Sequence, residues 1–111
     1  MSKAKPVEAK REPFALKHVD EAKEIVFSKK RSIRFVETVG TVRGVITVSP
    51  TDDEGADIKL QVFPIGAKIA KSLHVPCADA EDFPFSFMEA RKKILAKMEE
   101  TSKARKKYNI K

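Results

Sequence analysis

Residues 33–48 read IRFVETVGTVRGVITV, and their period decides the fold. Ile33, Phe35 and Glu37 alternate with Arg34, Val36 and Thr38. After the turn-forming Val39-Gly40, Val42, Gly44, Ile46 and Val48 alternate with Arg43, Val45 and Thr47. Successive side chains of a strand point to opposite sides of a sheet, so a period of two over β-branched residues predicts two strands joined by a tight hairpin. The polar connection SPTDDEG, residues 49–55, leads to a third alternating run in which Ile58, Leu60 and Val62 interleave with Lys59, Gln61 and Phe63. Pro64 closes that run because it has no N–H to give to a ladder. A three-stranded antiparallel meander is expected.

Working outward, the spacing changes. Before the first strand, Leu16, Val19, Ala22, Ile25 and Val26 recur at three and four residues, which predicts a short amphipathic helix between Phe14 and about Phe27. After the third strand, Ile65, Ile69 and Leu73 are spaced as one helical face, and a second short helix is expected there although Gly66 weakens it. HVPCADAEDFP then reads as a connector. Ser86 followed by Glu89 fits a capping box, so a long C-terminal helix is expected to start at Ser86, with a stripe of Phe87, Ala90, Ile94, Leu95 and Met98. The fold class is α+β: a three-stranded antiparallel meander, a short N-terminal helix, a short helix after the third strand and a long C-terminal helix.

The 111 residues suffice for one domain, expected over 14–100, flanked by a flexible basic arm at 1–13 and a basic C-terminal extension at 101–111. Charge is sorted along the chain. Lys and Arg outnumber Asp and Glu by ten to five over residues 1–34, are outnumbered four to eight over 35–85, and lead nine to three over 86–111, which sums to the net +7. Clustered cations attract polyanions. Cys77 is the only cysteine, so no intramolecular disulfide can form, and the expected setting is intracellular and reducing, cytoplasmic first and nuclear second. No apolar run approaches a membrane span, and no membrane partner is expected.

Alternation assigns the strand residues to faces. Ile33, Phe35, Val42, Ile46, Val48, Ile58, Leu60 and Val62 form a core face. Arg34, Val36, Thr38, Arg43, Val45, Thr47, Lys59, Gln61 and Phe63 form the other, with three cations, no carboxylate and apolar interruptions. Surfaces on which cations follow phosphates and rings stack on bases bind single-stranded nucleic acid. The bland alternative is an ordinary solvated face, or one lying partly beneath the first helix. Lys29, Lys30 and Arg31, together with Arg34, could extend the footprint, and Arg105, Lys106 and Lys107 in the tail could add affinity. The function expected is a small non-enzymatic nucleic-acid-binding protein, for DNA or RNA with single strands slightly favoured. A regulator or inhibitor that docks its cationic surface on an acidic protein or nucleoprotein complex is the alternative.

Other constellations carry less. Phe83, Phe85 and Phe87 in FPFSF read as packing, with Phe85 stapled near Ala90, or else as an exposed aromatic clamp. His74 and Cys77 have HxxC spacing but lack the four ligands of a structural zinc site, and nothing around Cys77 would lower a thiol pKa. The acidic TDDEGAD does not follow the EF-hand spacing and reads as a solvated loop. No phosphate loop, carboxylate pair or catalytic triad is present in the sequence, so neither an enzyme nor a cofactor is expected.

Overall fold

A computed structural model describes residues 13–64 and 72–109, with side chains as far as residue 102. Helix α1 spans Leu16–Lys23 and runs into a π-helical turn, Glu24–Ser28. Strands β1 (Ile33–Val39), β2 (Val42–Pro50), β3 (Ala56–Pro64) and β4 (Ser72–Cys77) follow, and helix α2 (Phe83–Asn109) is the last described element. The four strands form one antiparallel sheet in sequence order, β1-β2-β3-β4. The class is therefore α+β with an antiparallel meander and a long C-terminal helix. Among the described residues it has four strands where three were expected, and two helices.

The fourth strand replaces part of the expected second short helix and of the connector. Leu73, which carried the end of that helical spacing, faces Leu60 in β4, and Val75 and Cys77 face Ile58 and Ala56. Residues 65–71, where the rest of that helix was expected, lie outside the described residues. The first hairpin turns on Gly40-Thr41, one position later than expected, with Val39 facing Val42. Only Gly40 of the two has positive φ, at 62°, the backbone state that a two-residue turn of II′ type requires and that glycine adopts without a Cβ clash.

Helix α2 starts at Phe83, three residues before the expected capping box. The Asp82 amide donates to Asp79 Oδ1 at 2.9 Å, and the Ser86 amide donates to the Asp82 carbonyl at 3.0 Å. Asp79 thus closes the turn that leads into α2, and Ser86 lies inside the helix instead of capping it. Pro84 sits in the first turn, where its missing N–H costs nothing. The earlier start puts Phe83, Phe87, Ala90, Ile94 and Met98 on one stripe, all buried, with Leu95 half-buried beside it.

Both helices lie on the same side of the sheet. The His18 ring centre is 4.6 Å from that of Phe35, Phe35 meets Phe87 edge-on at 6.3 Å, and Phe27 meets Phe83 at 5.5 Å. Val19, Ala22 and Val26 complete this core with Ile46, Ile58 and Leu60. The entry to α1 is clamped from two sides. Phe14, buried and at positive φ (53°), donates its amide to Glu37 of β1 at 3.4 Å, while Arg91 Nε of α2 donates to the Phe14 and Pro13 carbonyls at 3.0 and 3.3 Å. A non-glycine residue in that backbone region costs of order 1–3 kcal/mol and persists only where its surroundings hold it.

Candidate functional site: the open face of the sheet

With both helices on one side, the other side of the sheet has no helix over it among the described residues. Its side chains fall into rows fixed by the strand register. Arg34, Thr47, Lys59 and His74 form one row across all four strands, Val36, Val45, Gln61 and Ser72 the next, and Thr38, Arg43 and Phe63 a third. Neighbouring strands are about 4.8 Å apart and successive rows about 7 Å, so the cations of the first and third rows flank a neutral, partly apolar strip.

Each element of this surface has a local cause. Arg34 and Arg43 are exposed because strand parity sends them away from the buried Phe35, Val42 and Gly44. The Arg43 guanidinium lies 5.1 Å from the centre of the Phe63 ring, which holds the ring and the charge together on two paired strands. Val36 is half exposed, whereas Val45 is only 6% exposed although it lies on the same face. Val45 occupies the second strand of the sheet between Val36 and Gln61, while Val36 lies on the edge strand, and this position accounts for the difference.

The face differs from the expected one in one respect. Strand β3 begins at Ala56, two residues early, and brings Asp57 onto the open side, so the face does hold a carboxylate. His74 Nδ1 lies 3.0 Å from Asp57 Oδ2 and pairs with it. Asp57, Ser72 and His74 are members of this surface that the sequence reading missed. The alternation of Leu73, Val75 and Cys77 with Ser72, His74 and Pro76 was a usable signal for the two on β4.

The register brings Arg34, Arg43, Lys59 and Phe63 together. It does not bring the whole Lys29–Arg31 cluster with them. Lys30, at φ 55°, lines a separate cleft with Phe27, Glu54, Asp79, Ala80 and Glu81, where carboxylates outnumber its own charge; Lys29 and Arg31 are exposed in the loop leading to β1. Arg105, Lys106 and Lys107 fall within α2, and their side chains lie outside those described. On the described part of α2, Lys93 pairs with Glu89 at 3.6 Å and Lys97 with Glu100 at 3.3 Å, as on a solvated helix surface.

The weaker constellations resolve individually. Phe83 and Phe87 are fully buried, but Phe85 is 76% exposed, so it does not staple onto Ala90. His74 and Cys77, three residues apart on one strand, point to opposite faces: His74 outward to Asp57 and Cys77 into the core. They cannot share a metal ion. Burial pushes the Cys77 thiol above its ordinary pKa, and its Sγ donates to the Asp79 carbonyl at 3.1 Å. In the acidic loop, Asp53 Oδ1 accepts from the Thr51 hydroxyl and from the Gly55 amide, closing a local turn. No cluster of three or more metal-ligating side chains occurs among the described residues, and none of the helices is long and apolar enough to cross a membrane among those residues.

Compared with protein-family models, curated proteins and solved structures, the chain matches none of them, so the functional reading rests on this geometry alone.

Proposed function

We propose that the protein binds nucleic acid on the open face of its sheet, with single strands favoured over duplex. The observation that carries this is the register that places Arg34 and Lys59 in one row and Arg43 with Phe63 in another, either side of Val36 and Val45. Cations in a row offer ligands to successive phosphates, and an accessible ring with an adjacent apolar strip offers a surface to unpaired bases, whose faces are hidden in a duplex. The backbone would follow Arg34 and Lys59 while the bases extend past the half-exposed Val36 toward Phe63. Phosphate contacts and stacking read base identity weakly, so sequence preference should be modest.

The test is binding of the full chain to single-stranded and duplex oligonucleotides over a salt series. Each single-strand phosphate neutralised contributes about 0.7 to the slope of log K against log salt, so engagement of the three face cations gives a slope near −2. Changing Arg34, Arg43 and Lys59 together to Glu should abolish binding. Survival of binding in that variant would move the site to the chain ends, and no binding at low salt would leave an acidic protein as the partner to seek.

A further inference from the structure

We infer that two copies of this chain pair through their β1 strands into one continuous eight-stranded sheet. Among the described residues, strand β1 is an edge of the sheet. In a two-residue hairpin the closing pair exchanges hydrogen bonds, so Val39, Glu37, Phe35 and Ile33 turn their backbone groups toward β2. The N–H and C=O groups of Arg34, Val36 and Thr38 then point outward from the sheet. Natural edges are blunted by proline, by charged side chains including inward-pointing ones, or by bulges. The opposite edge, β4, carries Pro76, whereas β1 has no proline, glycine or lysine and pairs with β2 without a bulge; its charges are Arg34 and the inward-pointing Glu37, which accepts the Phe14 amide on the core side.

The occupant is a second copy because β1 is complementary to itself. Its midpoint is Val36, and antiparallel pairing about that point sets Arg34 opposite Thr38 of the other copy and Val36 opposite Val36. All outward groups of the strand are then used in about six hydrogen bonds, and no like charges stand directly opposite. Exposed apolar side chains also gather along this edge. Val36 and Val39 belong to β1, and Leu16 lies between Phe14, which binds Glu37, and His18, which packs on Phe35. Residues of equal parity face each other in this register, so the two open faces lie on the same side of the joint sheet. The inference does not depend on what that face binds.

Sedimentation of the full chain over a concentration series tests it, with a mass approaching twice 12.5 kDa expected as concentration rises to about 200 μM. V36P removes one outward N–H without touching the β1–β2 ladder, so it should be monomeric, with a thermal melt matching wild type at concentrations low enough for wild type to be monomeric. V36K, which sets Lys against Lys at the two-fold axis, should weaken the dimer at least about tenfold and covers the case in which V36P does not fold. Mild oxidation should cross-link V36C but not V39C, whose copies lie six positions out of register. A monomeric wild type, a dimer indifferent to V36K, or cross-linking of V39C overturns the inference. So does a monomer whose β1 amides resist hydrogen exchange, since residues 1–12 of the same chain would then be the occupant.

Discussion

The Arg43 guanidinium stands 5.1 Å from the centre of the Phe63 ring, across the β2–β3 ladder and away from the core. A ring so placed is not needed to fill the interior, which is built from side chains of the opposite parity. Base-on-ring stacking is worth about 1–3 kcal/mol per base by truncation. Phe63→Leu keeps an apolar side chain in the strand and removes the π face. Affinity for single-stranded oligonucleotides should fall roughly 5- to 150-fold while the unfolding midpoint changes little. Fluorescence anisotropy and thermal melts on the same sample check both halves. An unchanged affinity would remove Phe63 from the proposed site.

The three rings of FPFSF divide by helical position. Phe83 and Phe87 are one turn apart on the buried stripe of α2 and lie against Phe27 and Phe35, whereas Phe85 is rotated to solvent. Truncating a fully buried phenylalanine to alanine costs about 3–5 kcal/mol through lost transfer energy and the residual cavity. Phe83→Ala and Phe87→Ala should each fall in that range by urea denaturation, and Phe85→Ala should stay within about 0.5 kcal/mol of wild type. A large loss from Phe85→Ala would mean that this ring is covered in solution.

The faces of β1, β2 and β3 were legible because parity alone assigns them. Once Phe35, Ile46 and Leu60 go inward, Arg34, Arg43 and Lys59 must go outward. The turn expected at Val39-Gly40 falls one position later, at Gly40-Thr41, which shifts the pairing by two residues and so leaves every side chain on its face. What escaped depended on competing local signals. Pro76 argued against a strand, although on an edge a proline is tolerated, and Leu73 fitted a helical spacing with Ile65 and Ile69 as well as a strand spacing with Val75. That error also hid His74 and Asp57, since neither belongs to a face until β4 exists and β3 is extended back to Ala56. Ser86-x-x-Glu89 resembles a capping box, but Asp79-x-x-Asp82 lies earlier and makes the hydrogen bond. A pattern of residue types cannot rank two such candidates without the packing of Phe83 behind them.

The β2–β3 loop contributes a pH dependence of known sign. The Thr51 hydroxyl bond, and then the Gly55 amide, hold the Asp53 carboxyl below its ordinary pKa of 3.8. A folded pKa below the unfolded one means that folding favours the ionised form, so the contribution is present above about pH 4 and is lost as pH falls through the folded pKa. Asp53→Asn should lower the urea midpoint near neutral pH. The difference from wild type should shrink as pH drops below 3.8, since both side chains are then uncharged. Paired denaturation curves at about pH 7 and pH 2.5 measure this. A gap of constant size would assign the effect to lost loop geometry instead of charge.

Two glycines separate the tolerance of a side chain from that of a backbone. Gly44 faces Glu37 and Val62 on the core side of β2, and a Cβ there would come 2.5 Å from Met98 Sδ and 3.3 Å from Ile94 Cδ1 of α2. Met98 is unbranched and can swing its end aside, so Gly44→Ala should cost about 1 kcal/mol, at the low end of overpacking. At Gly55, where the acidic loop returns into β3, a Cβ would collide with the Cys77 carbonyl oxygen and stand 2.9 Å from that of Ala78. Those atoms belong to the chain leaving β4 and cannot rotate away. Relief requires the β2–β3 loop to lift from the end of β4, which would disturb the Cys77 to Asp79 hydrogen bond and the Asp79 turn that leads into α2. Gly55→Ala should therefore cost about 3 kcal/mol or more. It should also speed the reaction of Cys77 with a thiol reagent well before global unfolding, whereas Gly44→Ala should leave that rate tied to the unfolding equilibrium. Equal losses in the two variants would mean that α2 is held against β2 as rigidly as the loop is held against β4.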